Sequence, residues 1–316
     1  EGPLGDGGPA TAAYLGVYGL AFDAAGNLLI ADSRNNRIRR VDAKTGIITT
    51  LVGGGPWSNL YAENVLAGAA VLVRPMAIAL DASGNLYITD QWTNLVRRLD
   101  VATNLVSTAV GTTDVGDGSL AKDAPLLEPQ LLAFDRSGNL YLADAEQNRV
   151  RKVDAVTGRI STLAGTGRPG ASGDGGLAVN AELDQPQGVY VNANNEVFMV
   201  DSGNCRVRKV DRNGSITLVA GTTCGYSGDG GPATAAQLNY PRAITANAAG
   251  TLFIADRENS RVRTVDASGR IRTVAGTGAR GFSGDGGQAT AAMLSHPSAV
   301  AIDAAGNLLI ADVDNG

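Results

Sequence analysis

Short apolar runs alternate with polar turns along the whole chain, and the segment from Phe22 to Gly53 illustrates the pattern. A first run ends at Asp23 and is followed by Ala-Ala-Gly-Asn, whose Gly and Asn tolerate positive φ and favour a tight hairpin turn. The next run ends at Asp32, and the RIRRVD after it alternates charged and β-branched residues with the period of a half-buried strand. A further turn leads into IITTLVG, so one unit predicts a four-stranded antiparallel meander.

This unit returns about every 56 residues, and the residue that closes its first run marks each copy. The spacings are 58, 54, 57, 55 and 56 residues between Asp23, Asp81, Asp135, Asn192, Asn247 and Asp303. A fixed period of this size indicates stacked supersecondary units, none of which buries its apolar face alone. Six four-stranded units around an axis predict an all-β fold, a six-bladed β-propeller, whose radial closure protects the sheet edges.

A second pattern fills the links between units: LGDGGPATAAYL, VGDGSLAKDAPLLEP, SGDGGLAVNAELDQP, SGDGGPATAAQLNYP and SGDGGQATAAMLSHP. The Ala-rich stretch favours a helix of one or two turns, which the following proline is expected to stop before the next inner strand. The link from Gly53 to Arg74 differs, because it lacks the GDGG motif and carries Trp57 and Tyr61.

The strand and link patterns together, as in GNLYLADAEQNRVRKVD and SGDGGPATAA, resemble the NHL repeat family, especially its bacterial members with GDGGPATAA links. The resemblance covers nearly all of the chain. It implies a six-bladed propeller but no single activity, because this fold hosts receptors, RNA binders, scaffold modules and a few enzymes.

The sixth unit stops at Asn315 and Gly316, where its third strand is expected to begin. We therefore expect residues 1–316 to form one propeller domain whose sixth blade is incomplete in this chain. The natural chain is expected to be longer; alternatively, another segment or protomer completes the blade, as in a subunit of an extracellular assembly.

Composition limits the function classes. An apolar content of 44% with 18% charged residues fits a packed globular protein, and the apolar runs are far shorter than a membrane span requires. A net charge of −5 disfavours nucleic-acid binding. Arginines do recur on the third strands, but each follows an aspartate at the end of the second strand, which predicts repeated Asp–Arg clamps rather than a phosphate groove. Examples are Arg39, Arg97, Arg151 and Arg208, with Asp32, Asp90, Asp144 and Asp201.

Cys205 and Cys224 are the only cysteines, and such a pair forms a disulfide, half of a metal site or two free thiols. Cys205 lies in the turn before the third strand of the fourth unit, and Cys224 lies just after the fourth strand. Because those strands are antiparallel, both residues lie at one end of the hairpin, which favours a disulfide. A disulfide indicates an oxidising compartment, so we expect a secreted or periplasmic bacterial protein.

Metal and cofactor chemistry has little support. His296, the only histidine, is expected at the surface or rim. The link aspartates Asp6, Asp174, Asp229 and Asp285 are one per link, too few for calcium, and are interpreted as turn-forming or helix-capping residues. No metal or cofactor is therefore predicted.

The residue that opens each inner strand is expected to line the rim of the axial channel: Tyr18, Met76, Gln130, Gln187, Arg242 and Ser298. None is a carboxylate or histidine, which argues against a lyase or hydrolase that uses the axial pocket, the alternative enzyme hypothesis. No catalytic residue is predicted.

Aromatic residues supply the one asymmetric feature. Trp57 and Tyr61 lie in the atypical link and Trp92 lies in the second-to-third turn of the next unit, which emerges on the same face. Either these rings pack into a small core of their own or they contact a ligand. We expect a non-catalytic binding or scaffold propeller that recognises a peptide, protein or glycan on the link face, through these aromatic residues and the six rim residues.

Overall fold

The structure, a computed structural model, describes residues 4–111 and 116–315, which form six antiparallel sheets. Their strands are β1 (Val17–Phe22), β2 (Leu28–Asp32), β3 (Arg37–Val41) and β4 (Ile48–Val52) in sheet 1; β5 (Val65–Leu66), β6 (Pro75–Leu80), β7 (Leu86–Asp90), β8 (Leu95–Asp100) and β9 (Leu105–Val110) in sheet 2; β10 (Pro129–Phe134), β11 (Leu140–Asp144), β12 (Arg149–Val153) and β13 (Ile160–Ala164) in sheet 3; β14 (Pro186–Val191), β15 (Val197–Asp201), β16 (Arg206–Val210) and β17 (Ile216–Ala220) in sheet 4; β18 (Ile244–Ala246), β19 (Leu252–Asp256), β20 (Arg261–Val265) and β21 (Ile271–Ala275) in sheet 5; and β22 (Pro297–Ile302) and β23 (Leu308–Asp312) in sheet 6. The all-β propeller prediction is confirmed as five full blades plus a two-stranded partial sheet.

The six sheets are arranged radially. The inner strands β1, β6, β10, β14, β18 and β22 contact one another in that order, and β22 contacts β1. Ser298 on β22 strengthens this closure, because its hydroxyl donates to the backbone oxygen of Tyr18 on β1 at 3.2 Å. The axis of the molecule is therefore enclosed by six strands.

Apolar residues on facing sheets form the core. Ile38 and Val52 of sheet 1 pack against Ile78 and Ile88 of sheet 2, and Ile38, Val52 and Ile88 have no exposed surface. Burying one such side chain stabilises the fold by about 1.5–3 kcal/mol. Because every blade packs on its neighbours in this way, the blades hold the axial rim as a rigid frame.

The link helices are confirmed at the shorter of the predicted lengths, as one-turn 3₁₀ helices, of which the atypical link contains two. Together with three turns between second and third strands, these are Ala10–Ala12, Ser33–Asn35, Trp57–Asn59, Ala67–Ala69, Gln91–Thr93, Ala121–Asp123, Ala178–Asn180, Ala233–Ala235, Arg257–Asn259 and Ala289–Ala291. Ala178 gives the reason for the short length. Its N–H donates to Gly214 and its carbonyl accepts from Gly165 as well as from Ala181 of its own turn, so the link backbone bonds to two blades and does not extend as a longer helix.

The atypical link adds a strand that the sequence pattern did not predict. Val65 and Leu66 form β5, which pairs with β9 and makes sheet 2 five-stranded. Other links make a single bridge at the comparable place, such as Leu177 with Ser215. The fifth strand is thus an extended form of a contact that links make elsewhere in the ring.

Candidate functional site

A buried aspartate ends the second strand of sheets 1 to 5 and organises the link face, which we define as the face formed by the links and the second-to-third turns. Asp201 accepts hydrogen bonds from the backbone N–H of Asp184 at 2.8 Å, from the Asn204 side chain at 3.0 Å and from Arg208 at 3.5 Å. Asp32, Asp144 and Asp256 are bonded to arginines in the same way. The predicted Asp–Arg clamps are therefore confirmed in sheets 1, 3, 4 and 5.

The link aspartates lie in turns, one of the two predicted roles, but they also have a role that was not predicted. Asp174 lies 3.0 Å from Arg208, the arginine that is also bonded to Asp201. Asp6, Asp117 and Asp229 pair with the corresponding arginines Arg39, Arg151 and Arg263. The caps of the link 3₁₀ turns carry no side-chain hydrogen bond. These four carboxylates therefore fasten their links to the blades that follow, whereas Asp285 forms no ion pair with a described residue.

Sheet 2 departs from this pattern. Glu63 of the atypical link replaces the aspartate and lies 3.9 Å from Arg97. Asp90 is fully buried and its Oδ2 has no hydrogen-bond partner among the described residues. Burial raises the pKa of Asp90 to about 7, since the hydrogen bond from Val73 and the charge of Arg97 only partly offset the lost hydration. The pKa of Asp90 is therefore higher than that of the corresponding aspartates Asp144, Asp201 and Asp256, whose pKa burial raises to about 6.

The mouth of the axial channel is ringed by residues in an uncommon backbone conformation. Each residue before an inner-strand proline has a positive φ between 42° and 64°: Arg74, Glu128, Gln185, Tyr240 and His296. An ordinary residue before proline favours the extended region, so this conformation is strained. Asn148 of the preceding blade holds Gln185 in place, because its side-chain oxygen accepts the Gln185 N–H at 2.9 Å. Because the five side chains all differ, the mouth has no rotational symmetry.

Among the predicted rim residues, Arg242 contacts Tyr18 and Gln130. Its guanidinium lies 4.9 Å from the centroid of the Tyr18 ring and its Nη2 lies 3.4 Å from Oε1 of Gln130. Tyr18, Gln130 and Arg242 come from sheets 1, 3 and 5, so the guanidinium lies across the axis. Of the other rim residues, Met76 and Ser298 are buried and Gln187 is half-buried.

The three aromatic residues that the sequence singled out are exposed rather than packed into a core. Trp57, Tyr61 and Trp92 expose 66%, 58% and 67% of their surface. Arg74, at the channel mouth, stacks over Trp92 with 5.7 Å between the guanidinium carbon and the ring centroid. Trp92 is therefore in contact with the edge of the channel mouth.

The predicted disulfide between Cys205 and Cys224 is formed, with 5.1 Å between the two Cα atoms. Cys205 has a φ of 55° and occupies the left-handed turn position that Asn36, Asn94 and Asn148 fill in other sheets. Its sulfur lies 3.4 Å from the backbone N–H of Tyr240, in the role of the asparagine oxygen. The disulfide thus fixes one second-to-third turn to the link that follows its blade.

His296 lies at the channel mouth, with 14% of its side chain exposed. Its Nε2 is 3.4 Å from a carboxylate oxygen of Glu258, and its Nδ1 is hydrogen-bonded to Asp314. Nowhere in residues 4–111 and 116–315 do three His, Cys, Asp or Glu side chains converge as metal ligands would. The same residues contain no helix long and apolar enough to cross a membrane.

Comparison with known proteins agrees with this architecture. The family model of the teneurin NHL domain matches residues 166–226 and 222–281. The chain is an NHL-repeat β-propeller. Teneurin-1 of Gallus gallus is 29% identical over 252 residues, which are 73% of this chain and 9% of that protein.

Two further likenesses place this NHL propeller among larger proteins. Protein SUPPRESSOR OF QUENCHING 1, chloroplastic, of Arabidopsis thaliana is 27% identical over 275 residues, which are 83% of this chain and 26% of that protein. Among solved structures, an auxiliary nutrient binding protein from Bacteroides thetaiotaomicron superposes with a TM-score of 0.72 at 17% identity, covering 99% of this chain and 70% of that one. The NHL propeller therefore spans about a quarter or less of these two curated relatives.

Sequence reasoning missed three features of this site. It did not find the acid–arginine contact between link and blade, the role of Glu63 in the atypical link, or the strained ring at the mouth. A signal for the first was present, because an acidic residue precedes each of the five ion-paired buried arginines by 33 or 34 residues, as Asp6 does Arg39 and Asp174 does Arg208.

Proposed function

We propose that this NHL propeller is a non-catalytic binding module that takes a peptide or protein, or a glycan, on its link face. The observation that carries the proposal is the distribution of exposed aromatic side chains. All that are more than a third exposed in the described residues lie in links or second-to-third turns: Tyr14, Trp57, Tyr61, Trp92, Tyr226, Tyr240 and Phe282. The large apolar residues exposed at the opposite hairpin turns are the aliphatic Ile47, Val101 and Val156. Exposed aromatic residues are enriched where proteins bind partners.

The rigidity of the frame supports the same proposal. Links and turns that differ between blades are held by acid–arginine pairs and by a disulfide, so the face is ordered before a ligand arrives. Preorganisation of this kind improves affinity because fewer groups must be ordered on binding. Variable loops on a rigid scaffold are where recognition usually resides.

The six rim positions support binding rather than catalysis. They supply one guanidinium, two amides, two hydroxyls and a thioether, and burial lowers the pKa of Arg242 only to about 10. None of the six is a carboxylate or an imidazole, the groups that most often act as general acid or base near neutral pH.

The disulfide supports an oxidising location, so we propose that the protein is secreted or periplasmic. We also propose that β22 and β23 are the inner half of a sixth blade, since β22 packs on both β1 and β18 as the other inner strands pack on their neighbours.

The proposal is tested by selecting ligands from a random peptide library and a glycan array with the wild-type protein. Selected ligands are then titrated against Trp57→Ala, Tyr61→Ala and Trp92→Ala. We expect at least one variant to lose about 2 kcal/mol of binding, roughly 30-fold in Kd, as aromatic hot spots do. Val101→Ala and Val156→Ala, on the opposite face, are the matched controls and should bind normally. Ligands that bind all three aromatic variants normally but are lost in the control variants would overturn the assignment.

A further inference from the structure

Arg242 is the exception among the buried arginines of this protein. Five others are at most 3% exposed: Arg39, Arg97, Arg151, Arg208 and Arg263. Each of these five has at least one carboxylate oxygen within 4 Å. Arg242 is equally buried at 3%, yet it forms no ion pair with any described residue, and its Nη1 has no hydrogen-bond partner there. The fold thus neutralises every other buried guanidinium and leaves this one without a counterion.

The surroundings of Arg242 increase the imbalance. Burial lowers its pKa to about 10, so it remains charged at neutral pH. The charges of Arg257 and Arg74 lower this pKa further and only Tyr18 acts in the opposite direction, so no carboxylate is among the groups that act on Arg242. The guanidinium of Arg242 is therefore an unpaired positive charge, although the mouth also carries the acidic residues Glu128 and Glu258. An unpaired buried charge destabilises the folded protein by several kcal/mol. A bound anion would neutralise this charge and offset that cost.

We propose that the axial rim is a carboxylate-binding site in which Arg242 is the anchor. The inference rests on the proposed function, because it names the ligand chemistry of the same link face. The ligand carboxylate pairs with Nη1, now without a partner, and replaces the amide oxygen of Gln130 at Nη2. The existing contact to Gln130 is long for a hydrogen bond, at 3.4 Å, so its replacement by a charged acceptor is favourable. Tyr18 supports the guanidinium from one face of its plane.

The chemistry favours a carboxylate over a phosphate. A single guanidinium offers a planar fork of N–H donors that matches the two oxygens of a carboxylate. A phosphate dianion is usually held by several cations or by backbone N–H groups, and Arg74 and Arg257 act on this position only through their charge. A monoanion neutralises Arg242 without leaving a surplus negative charge in a buried position.

The rim is able to admit such a group. Met76, Gln130 and Gln187 are unbranched side chains with several rotatable bonds, which adapt readily to a ligand. Just inside the rim lies a cavity of about 310 Å³, lined by apolar residues of the inner strands such as Ala77, Leu131, Val189 and Val300. A carboxylate attached to a short apolar group fits this arrangement, with its charge at Arg242 and its apolar part against the channel wall. Both a small organic acid and the end of a peptide chain supply that chemistry.

The test is a calorimetric titration and a thermal unfolding series with hexanoate and its neutral isostere hexanamide, in a carboxylate-free buffer. We expect saturable binding of hexanoate with a rise in Tm, and at least a tenfold weaker effect of hexanamide. An acetylated Gly-Gly-Leu peptide with a free carboxylate and its C-terminal amide form the second pair. Tighter binding of the peptide acid than of hexanoate identifies a chain end as the source; the reverse order identifies a small acid. No difference between either acid and its neutral partner overturns the proposal.

Variants separate binding from folding. Arg242→Met should abolish the hexanoate effect, and without ligand its Tm should equal or exceed that of the wild type, because a charge without a partner has been removed. Gln130→Ala frees Nη2 and should tighten hexanoate binding, which keeps the test decisive if the methionine variant folds poorly. Arg74→Met and Arg257→Met are controls for general electrostatics and should weaken binding only modestly, in a salt-dependent way. If these two abolish binding while Arg242→Met retains it, Arg242 is not the anchor. These probes need no macromolecular partner, so the two proposals are tested separately. Hexanoate can fail to bind at Arg242 while the aromatic surface binds a selected ligand, and hexanoate can bind while the aromatic surface binds nothing.

Discussion

The guanidinium of Arg263 donates to the carboxylate of Asp229 at 2.6 Å, and this contact joins the third strand of a blade to the link that precedes it. Arg263 is fully buried, whereas the Asp229 side chain is 37% exposed, so the ion pair lies at the boundary between the blade interior and solvent. Burial alone would raise the pKa of Asp229, but hydrogen bonds from Thr273 and Arg263, together with the charge of Arg263, outweigh it and lower the pKa.

This contact predicts that Asp229→Ala destabilises the protein by about 2–3 kcal/mol, because a buried guanidinium loses one of its two acidic partners. Chemical denaturation measures the loss. The matched control is Asp285→Ala, in the same GDGG context, where no described arginine pairs with the carboxylate; it should change stability by less than about 0.5 kcal/mol. Equal losses in the two variants would mean that the aspartate acts through the turn rather than through the arginine.

Asp90 predicts an unusual response to pH. Its pKa in the folded protein is about 7, above the ordinary 3.8, so the folded state holds this proton more tightly than the unfolded state. The contribution of Asp90 to the free energy of unfolding therefore falls as pH rises from about 4 to about 7. Asp90→Asn removes this titration while keeping an oxygen for the Val73 N–H. Its stability relative to wild type should increase across that window.

Asp201→Asn is the comparison for Asp90→Asn. Asp201 lies 3.5 Å from Arg208 and accepts from Asn204, so its replacement breaks a satisfied buried network and should destabilise the protein at pH 8 by about 2–4 kcal/mol. Thermal unfolding at pH 5 and pH 8 measures both variants. If Asp90→Asn is as destabilised at pH 8 as Asp201→Asn, the carboxylate of Asp90 has a partner that the structure does not contain.

The disulfide closes a loop of 19 residues, which predicts a loss of about 3 kcal/mol when it is removed. Cys205→Ser with Cys224→Ser should lower the Tm to that of the reduced wild-type protein. A reducing agent should then have no further effect on the double variant. A reductant that leaves the wild-type Tm unchanged while the double variant is destabilised would place the effect in packing rather than in the covalent bond.

The positive-φ residues before the inner-strand prolines are strained, which predicts that glycine at one of these positions does not lower the free energy of unfolding. Gln185 has a φ of 46°, a conformation that glycine adopts freely, so Gln185→Gly should be neutral or stabilising by up to about 1 kcal/mol. Gln187→Gly, two residues later on the extended strand β14, should instead lose about 1 kcal/mol. Urea denaturation compares the two, and a loss at Gln185 equal to that at Gln187 would mean that the ring is not strained.

The repeat made most of the fold predictable, because its alternation of charged and β-branched residues marks the same strands in every unit. Arg208 alternates with Val207 on β16, and its clamp to Asp201 followed from that position, whereas the full burial of both side chains did not. Contacts between units were harder to predict. Asp174 lies in a turn, as predicted, but nothing in one link indicates that its carboxylate also reaches an arginine 34 residues later. The absence of a counterion for Arg242 required the relative placement of sheets 1, 3 and 5, which no single repeat contains.

Trp57 and Trp92 are the only tryptophans of the chain, and both are exposed on the link face, so intrinsic fluorescence reports directly on the central claim that this face binds the ligand. A selected peptide or glycan ligand should change the emission in a saturable way, with the Kd that calorimetry gives. Trp92→Phe should remove most of the change if the ligand lies at the channel mouth beside Arg74. A ligand that binds by calorimetry but leaves the emission of both tryptophans unchanged would contradict the account.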